Sequence, residues 1–226
     1  MVYYTIGKRA FTTKERVFLN QTKEKIMQTA LRLFARDGYE AVPVSAIAGE
    51  LGMTKGALYK HYANKRAIFD SIVERMYEID AQRSQEFSVP QEEYAAAPTA
   101  YEAVSAEAIR AFTLAQFGFW TKDDFAANFR RMLTLEQYRS EEMAALYSRT
   151  LTAGPVAYME DIFREMMARG VLESGDPRQL AVEFYAPMFL LMNLPDEAEG
   201  TALLERHIDN FMRCRMGGKS GGNHVG

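Results

Sequence analysis

Cysteine, tryptophan and histidine are almost missing from this chain of 226 residues, which holds one, one and three of them. Cys214 alone can form no intrachain disulfide, and that predicts a reducing, cytoplasmic compartment. His61, His207 and His224 lie too far apart in sequence to suggest a zinc site, so no metal and no cofactor is expected. A nucleophile elbow, a phosphate-binding glycine loop and a cysteine–histidine spacing are all absent, and no catalytic residue is assigned; the chain does not read as an enzyme. No run of eighteen apolar residues predicts a membrane span. The stretch MVYYTIGKRAF has no continuous apolar core and no small-residue cleavage site, so no signal peptide is expected. Strand patterns and internal repeats are absent too.

What is present is an uneven charge. Residues 1–66 carry 12 Lys/Arg against 5 Asp/Glu, while the rest carries 15 against 25. A basic head on an acidic body suggests that the head meets a polyanion and the body has another task. Helical periodicity runs almost throughout. Ile26, Ala30, Leu33 and Phe34 share one face of a first helix, with Thr22 as its expected cap and Gly38 as its stop. Ile47, Ala48 and Leu51 mark a short second helix closed by Gly52. Thr54 caps a third, with Leu58 and Tyr62 facing inward, and Asn64 caps a long fourth along Ile68, Ile72, Met76 and Ile79.

Further on, Pro90 and Pro98 predict a loop over 87–98, and Thr99 a new cap. Gly118 is expected to stop that helix, and Thr121 with Asp124 to form a capping box for the next. Ser140 opens another, broken or kinked at Gly154-Pro155. Asp176-Pro177 is a restart with proline at the first helical position. The fold class is therefore all-α, with roughly nine helices.

The stretch GELGMTKGALYKHYANKRA, residues 49–67, concentrates glycine and positive charge. A short helix, a glycine turn and a second helix make a helix-turn-helix, whose second helix enters the DNA major groove. Opposite the inward Leu58 and Tyr62 stands Lys60, flanked by Gly56 and Ala57, with Tyr59 and His61 on the shoulders. Small residues allow close backbone approach, and a lysine there can donate to guanine acceptors. Lys55, Lys65 and Arg66 add charge where phosphate would lie.

The run SAIAGELGMTKGALYKHYANKRAIF, residues 45–69, resembles the DNA-binding domain of the tetracycline-repressor (TetR) family, and TALRLFARDGYEAV, residues 29–42, looks like the same family's first helix and turn. The resemblance covers about residues 22–80. It implies an all-helical homodimeric regulator. Its three-helix N-terminal DNA-binding domain would be joined by the fourth helix to a C-terminal ligand-binding and dimerisation domain.

The implied divisions are a flexible basic segment over 1–20, a helix-turn-helix domain over 21–66, a connecting helix over 67–86, a sensing and dimerisation domain over 87–214, and a flexible tail over 215–226. Carried over residue by residue, the recognition helix is 54–61. Lys55, Gly56, Ala57 and Lys60 would face bases, and Tyr59, His61 and Lys65 would contact phosphates. Thr54 belongs to the same face, and Ser45 on the second helix reaches the groove. Pro43 departs from the family's usual Ser or Thr cap and could shift the start of the second helix toward Ser45.

The body is rich in rings and methionine. Phe112, Phe117, Trp120, Phe125, Phe129, Met132, Tyr147, Tyr158, Met159, Phe163, Tyr185 and Met188 exceed the packing needs of a bundle and are the candidate lining of a pocket for an apolar or aromatic effector. Glu107, Glu160 and Glu183 are candidates to select a cation. Two apolar stripes on the last helices, with Phe184, Met188, Leu191, Leu204, Ile208 and Phe211, are the candidate dimer interface. The functional expectation is a regulator, by the family's habit a repressor, bound to a palindromic double-stranded operator and released by a small molecule. The alternative is a DNA-bound regulator controlled by a protein partner.

Overall fold

The computed structural model describes residues 13–87, 89–90 and 98–216, with the side chains of 13–19 and 98 left out. Most of the expected tail and most of the N-terminal segment therefore lie outside the described residues. Two compact units divide between Arg75 and Met76. The first contains α1 (Thr13–Asp37), α2 (Val44–Glu50), α3 (Lys55–Leu58) and the opening turns of α4 (Lys65–Glu86).

α1 begins well before Thr22, which sits inside it rather than capping it. Its buried stripe is Ile26, Ala30, Leu33 and Phe34, as the periodicity requires. Gly38 ends the helix at φ 89°, a region a side chain would strain, and its N–H donates to the Phe34 carbonyl at 2.9 Å. Tyr39 then folds back between the rings of Phe34 and Phe69, each 5.1 Å away. Pro43 is the N-cap of α2, extended at ψ 154°, with its carbonyl accepting from the Ala46 N–H at 3.0 Å. The helix starts at Val44 and does not move to Ser45: a proline cap supplies φ and a carbonyl, and only the side-chain bond is lost.

The second unit holds the remainder of α4 and then α5 (Pro98–Glu102), α6 (Ala106–Lys122), α7 (Asp124–Glu136), α8 (Glu141–Leu151), α9 (Ala153–Ala168), α10 (Pro177–Leu191) and α11 (Glu197–Arg215). The described residues thus form eleven helices, against the roughly nine expected. The additions are the short α5 and the break at Thr152 that separates α8 from α9. No strand occurs among the described residues, only an isolated antiparallel bridge between Leu172 and Met216.

Several expected signals move. The cap after the loop is Ser105, which accepts from the Ala108 N–H at 3.1 Å, because Thr99 already lies within α5. Gly118 is carried inside α6, and that helix stops at Asp123 instead. Asp123 caps α7, accepting from the Ala126 N–H at 2.9 Å, while the Thr121 hydroxyl donates back to the Phe117 carbonyl at 2.8 Å. Ser140 and Asp176 cap α8 and α10 as expected. The core of this unit centres on Phe163, Phe184 and Phe211, whose ring centroids lie 5.0–5.5 Å apart.

Candidate functional site

In the first unit the Thr54 side chain accepts from the Ala57 N–H at 3.1 Å and starts α3. Gly52, at φ 63°, makes the preceding turn. Only one turn of α3 is regular, yet the winding continues: the Lys60 N–H donates to the Ala57 carbonyl at 3.2 Å, and the His61 N–H to the Leu58 carbonyl at 2.9 Å. Leu58 is fully buried and Tyr62 nearly so, so the opposite side is fixed outward. There Lys55, Gly56, Tyr59 and Lys60 are exposed, and Ala57 and His61 partly so. A methyl group at Gly56 would meet nothing closer than the Thr54 hydroxyl at 4.0 Å. The protomer's own packing therefore does not demand glycine at that position. Ser45 is exposed on α2.

Tyr62 locks this element to its neighbours. Its hydroxyl donates to the Lys23 carbonyl at 3.3 Å and accepts from Ser71 at 3.2 Å. Burial, the larger influence, raises its pKa above the ordinary value, and the Ser71 bond opposes that. Asn64 caps α4, accepting from the Ala67 N–H at 2.8 Å.

Lys65 is placed differently from its expected role. Its ammonium donates to the Tyr39 carbonyl at 2.8 Å and the Glu40 carbonyl at 3.2 Å, and sits 4.4 Å from the Tyr39 ring centroid. Only 22 % of the side chain is exposed. It ties the turn after α1 to the start of α4, in addition to any charge it offers outward. Lys65→Met is expected to lower the stability of this unit by about 1–2 kcal/mol, the scale of charged hydrogen bonds lost at a half-buried site. Chemical denaturation followed by amide exchange in residues 20–75 checks it.

In the second unit, α4, α6, α8, α9 and α10 line a partly open cavity of about 480 Å³, within the range that holds a small organic ligand. Six of the twelve expected residues line it: Phe112, Trp120, Tyr158, Met159, Tyr185 and Met188. Phe117, Phe129, Met132 and Phe163 are instead buried in packing, and Phe125 and Tyr147 are half-buried away from the lining. Phe117 shows why: its ring tip would lie 3.1 Å from a methyl group on Gly200, so it fills a helix contact.

The three acids expected to select a cation are elsewhere. Glu160 pairs with Arg164 and Arg178, Glu183 with Arg215, and Glu107 is in the exposed first turn of α6. The acid at the cavity is Asp80 on α4, joined there by Ser84, Thr113 and Gln116. Burial raises the Asp80 pKa, opposed by a hydrogen bond with Gln116 and by the charge of Arg83. Asp80 lines the cavity and keeps an exposed surface. The Tyr158 hydroxyl is buried without a hydrogen-bond partner among the described residues, and burial raises its pKa. Tyr185 donates to the Leu151 carbonyl at 2.8 Å.

The expected dimer residues also lie inside. Phe184, Leu191, Leu204, Ile208 and Phe211 are all buried within one protomer, at 0–8 % exposure, as is Met188. A second copy cannot reach them without opening the core. The large apolar side chains that α10 does expose are Val182 and Leu190, followed by Leu194 just beyond its end.

The first unit thus carries a capped, glycine-hinged helix-turn-helix with an outward basic face, and the chain continues into an all-helical unit with a cavity. Residues 26–72 match the family model described as bacterial regulatory proteins, tetR family. Over those residues the chain is similar to the DNA-binding part of that family. Among curated relatives it is similar to the uncharacterised HTH-type transcriptional regulator YerO of Bacillus subtilis, at 43% identity over 56 residues, 25% of this chain and 19% of that one. It is also similar to the class C tetracycline repressor of Escherichia coli, at 38% over 58 residues, 26% of each. The aligned stretch thus spans about a quarter or less of these relatives' length.

Among solved structures, SmeT, the repressor of the Stenotrophomonas maltophilia multidrug efflux pump SmeDEF, superposes with a TM-score of 0.59 at 22% identity, covering 89% of this chain and 93% of that one. That likeness extends the fold agreement through the C-terminal helices. No helix among the described residues is long and apolar enough to cross a membrane.

Proposed function

We propose that this chain is a sequence-specific DNA-binding transcriptional regulator, a repressor that leaves a palindromic operator when a small apolar or aromatic-bodied ligand enters the cavity of the second unit. The observation that carries the reading is the outward face of the third helix. Leu58 and Tyr62 anchor its back, leaving Lys60, Gly56 and Ala57 to meet base edges and Lys55, Tyr59 and His61 to meet the backbone. Thr54 orients the helix through its cap, and Ser45 stands at the edge of the same surface.

The coupling route is α4. Lys65 and Ile68 at its start belong to the helix-turn-helix packing, and Met76, Tyr77, Asp80 and Ser84 further along line the cavity. A ligand that prefers one setting of this helix changes operator affinity by its difference in affinity for the two settings. Couplings of about 1–3 kcal/mol, roughly 5- to 150-fold, are usual. A cavity of this size also favours a small-molecule effector over a protein partner acting on a filled bundle. The proposed domains keep the order read from the sequence, with the DNA-binding part opening on α1 at Thr13 and the sensing part closing on α11 at Arg215.

The proposed dimer uses the outer face of α10, where Val182, Ala186 and Leu190 recur every fourth residue and are exposed. Leu190→Glu is expected to convert a dimer to monomer in light scattering at micromolar concentration and to abolish protection of a two-fold site. A monomeric parent protein would remove the palindrome from the proposal. DNA binding itself is tested by anisotropy on a labelled two-fold site across a salt series. The proposal expects a steep salt slope with a retained preference for the site, and equal affinity for scrambled DNA opposes it.

A further inference from the structure

The polar end of the cavity has a definite hydrogen-bond direction. The Arg83 Nε–H donates to Gln116 Oε1 at 3.2 Å, which fixes the Gln116 amide with its oxygen toward Arg83. The Gln116 NH₂ is then the group that faces Asp80, and it can only donate. Asp80 is thereby held as an acceptor, the role of an ionised carboxylate, although burial works against the charge. Arg83 does not line the cavity, and its guanidinium rests on the Phe119 ring, 4.4 Å from the centroid.

The remaining wall is aromatic. Phe112 and Tyr158 lie 6.2 Å apart, and Trp120 belongs to the same lining. Such ring faces attract cations when water is displaced. Tyr158 brings a hydroxyl without a partner among the described residues. Its lone pairs present partial negative charge to a cationic head. Arg149 also lines the cavity, but it is exposed and lies over the Tyr77 ring at 5.8 Å, so solvent and ring already answer its charge.

Building on the proposed effector role of this cavity, we infer that its effector class is the organic cation with an aromatic or aliphatic body, the charged nitrogen at Asp80 and the body among Phe112, Trp120 and Tyr158. The carboxylate supplies the counter-charge, and the rings replace the water lost on entry. A neutral molecule of the same shape would add no counter-charge to the carboxylate, leaving it with only the Gln116 hydrogen bond and the charge of Arg83.

Trp120 is the chain's one tryptophan and lines the cavity, so its fluorescence reports occupancy directly. The probes are 4-phenylbutyltrimethylammonium, its neutral carbon isostere 5,5-dimethylhexylbenzene, and 4-phenylbutanesulfonate, each titrated into the full chain. The cation is expected to bind roughly tenfold or more tighter than the isostere. In Asp80→Asn that preference is lost while the isostere keeps its affinity, and Asp80→Glu restores the preference. Thermal melts of both variants confirm the fold, and the isostere's retained quenching confirms an intact cavity.

Equal binding of cation and isostere to the parent protein, or tighter binding of the sulfonate, overturns the cationic class and leaves the effector cavity standing. A cation preference unchanged in Asp80→Asn overturns the assignment to Asp80. Absence of quenching by all three probes at saturation overturns both the class and the cavity reading on which it rests.

Discussion

Lys60→Ala is expected to lower affinity for the preferred DNA site by roughly 5- to 150-fold, about 1–3 kcal/mol, while affinity for random DNA falls far less. The reason is positional. Lys60 is exposed at the centre of the outward face, and no tertiary contact of the protomer depends on it as Tyr62 does. Its N–H continues the winding of the third helix, and alanine keeps that bond. The melting temperature should therefore stay within a degree or two of the parent. A phosphate-contacting residue behaves otherwise: its loss weakens all sequences alike and reduces the salt slope by about one unit. Competition titrations with specific and random duplexes at two salt concentrations separate the two patterns.

Gly154→Ala is the second large effect, on stability. An added methyl group would lie 1.9 Å from the Arg149 carbonyl oxygen and 2.8 Å from its carbonyl carbon, both backbone atoms. Nothing flexible can yield, so the α8–α9 junction itself must shift. Overpacking of this kind costs about 3 kcal/mol or more, which for a unit of this size corresponds to a melting shift of roughly 6–12 °C. Because Arg149, Thr150, Gly154 and Pro155 line the cavity, the same change should weaken probe binding. Calorimetry of the full chain should show the higher-order loss in the second unit, with the helix-turn-helix unaffected. An unchanged melting curve would mean that the junction relaxes cheaply.

Legibility differed by the kind of signal. Thr54, Asn64, Ser140 and Asp176 could be read as caps because a short oxygen-bearing side chain before an apolar period has one strong structural use. Thr22 has the same chemistry, and Gly118 is a common stop residue, yet both lie inside helices beside the buried Ile26 and Phe117, whose packing outweighs a local signal. The outward face of the third helix followed from a helical wheel alone, as two buried anchors fix the orientation of one turn.

The cavity was harder. Phe163 and Tyr158 carry the same period and composition, yet one is sealed among Phe184 and Phe211 and the other opens onto the cavity. A one-dimensional stripe cannot show on which side its partners leave a gap. Asp80 was passed over because a charged residue on a long helix reads as solvated surface. Only the fold shows Gln116 and Tyr158 beside it. For the same reason the stripe of Leu204, Ile208 and Phe211 could be read as an interface between copies, although it is the core of one protomer. Lys65 shows the converse: a basic residue that motif resemblance points at phosphate also holds two backbone carbonyls.

The central claim is that the third helix reads a two-fold DNA site. The measurement that tests it most directly is a footprint of the full chain on the DNA flanking its own gene, at fixed salt, beside Lys60→Ala. The account predicts one protected site with two symmetric halves centred about 34–36 Å apart or a multiple of that, and loss of protection with Lys60→Ala at the same protein concentration. Protection that is uniform along the fragment, fades evenly as salt rises and is the same for both proteins would contradict it, leaving only attraction between a basic surface and phosphate.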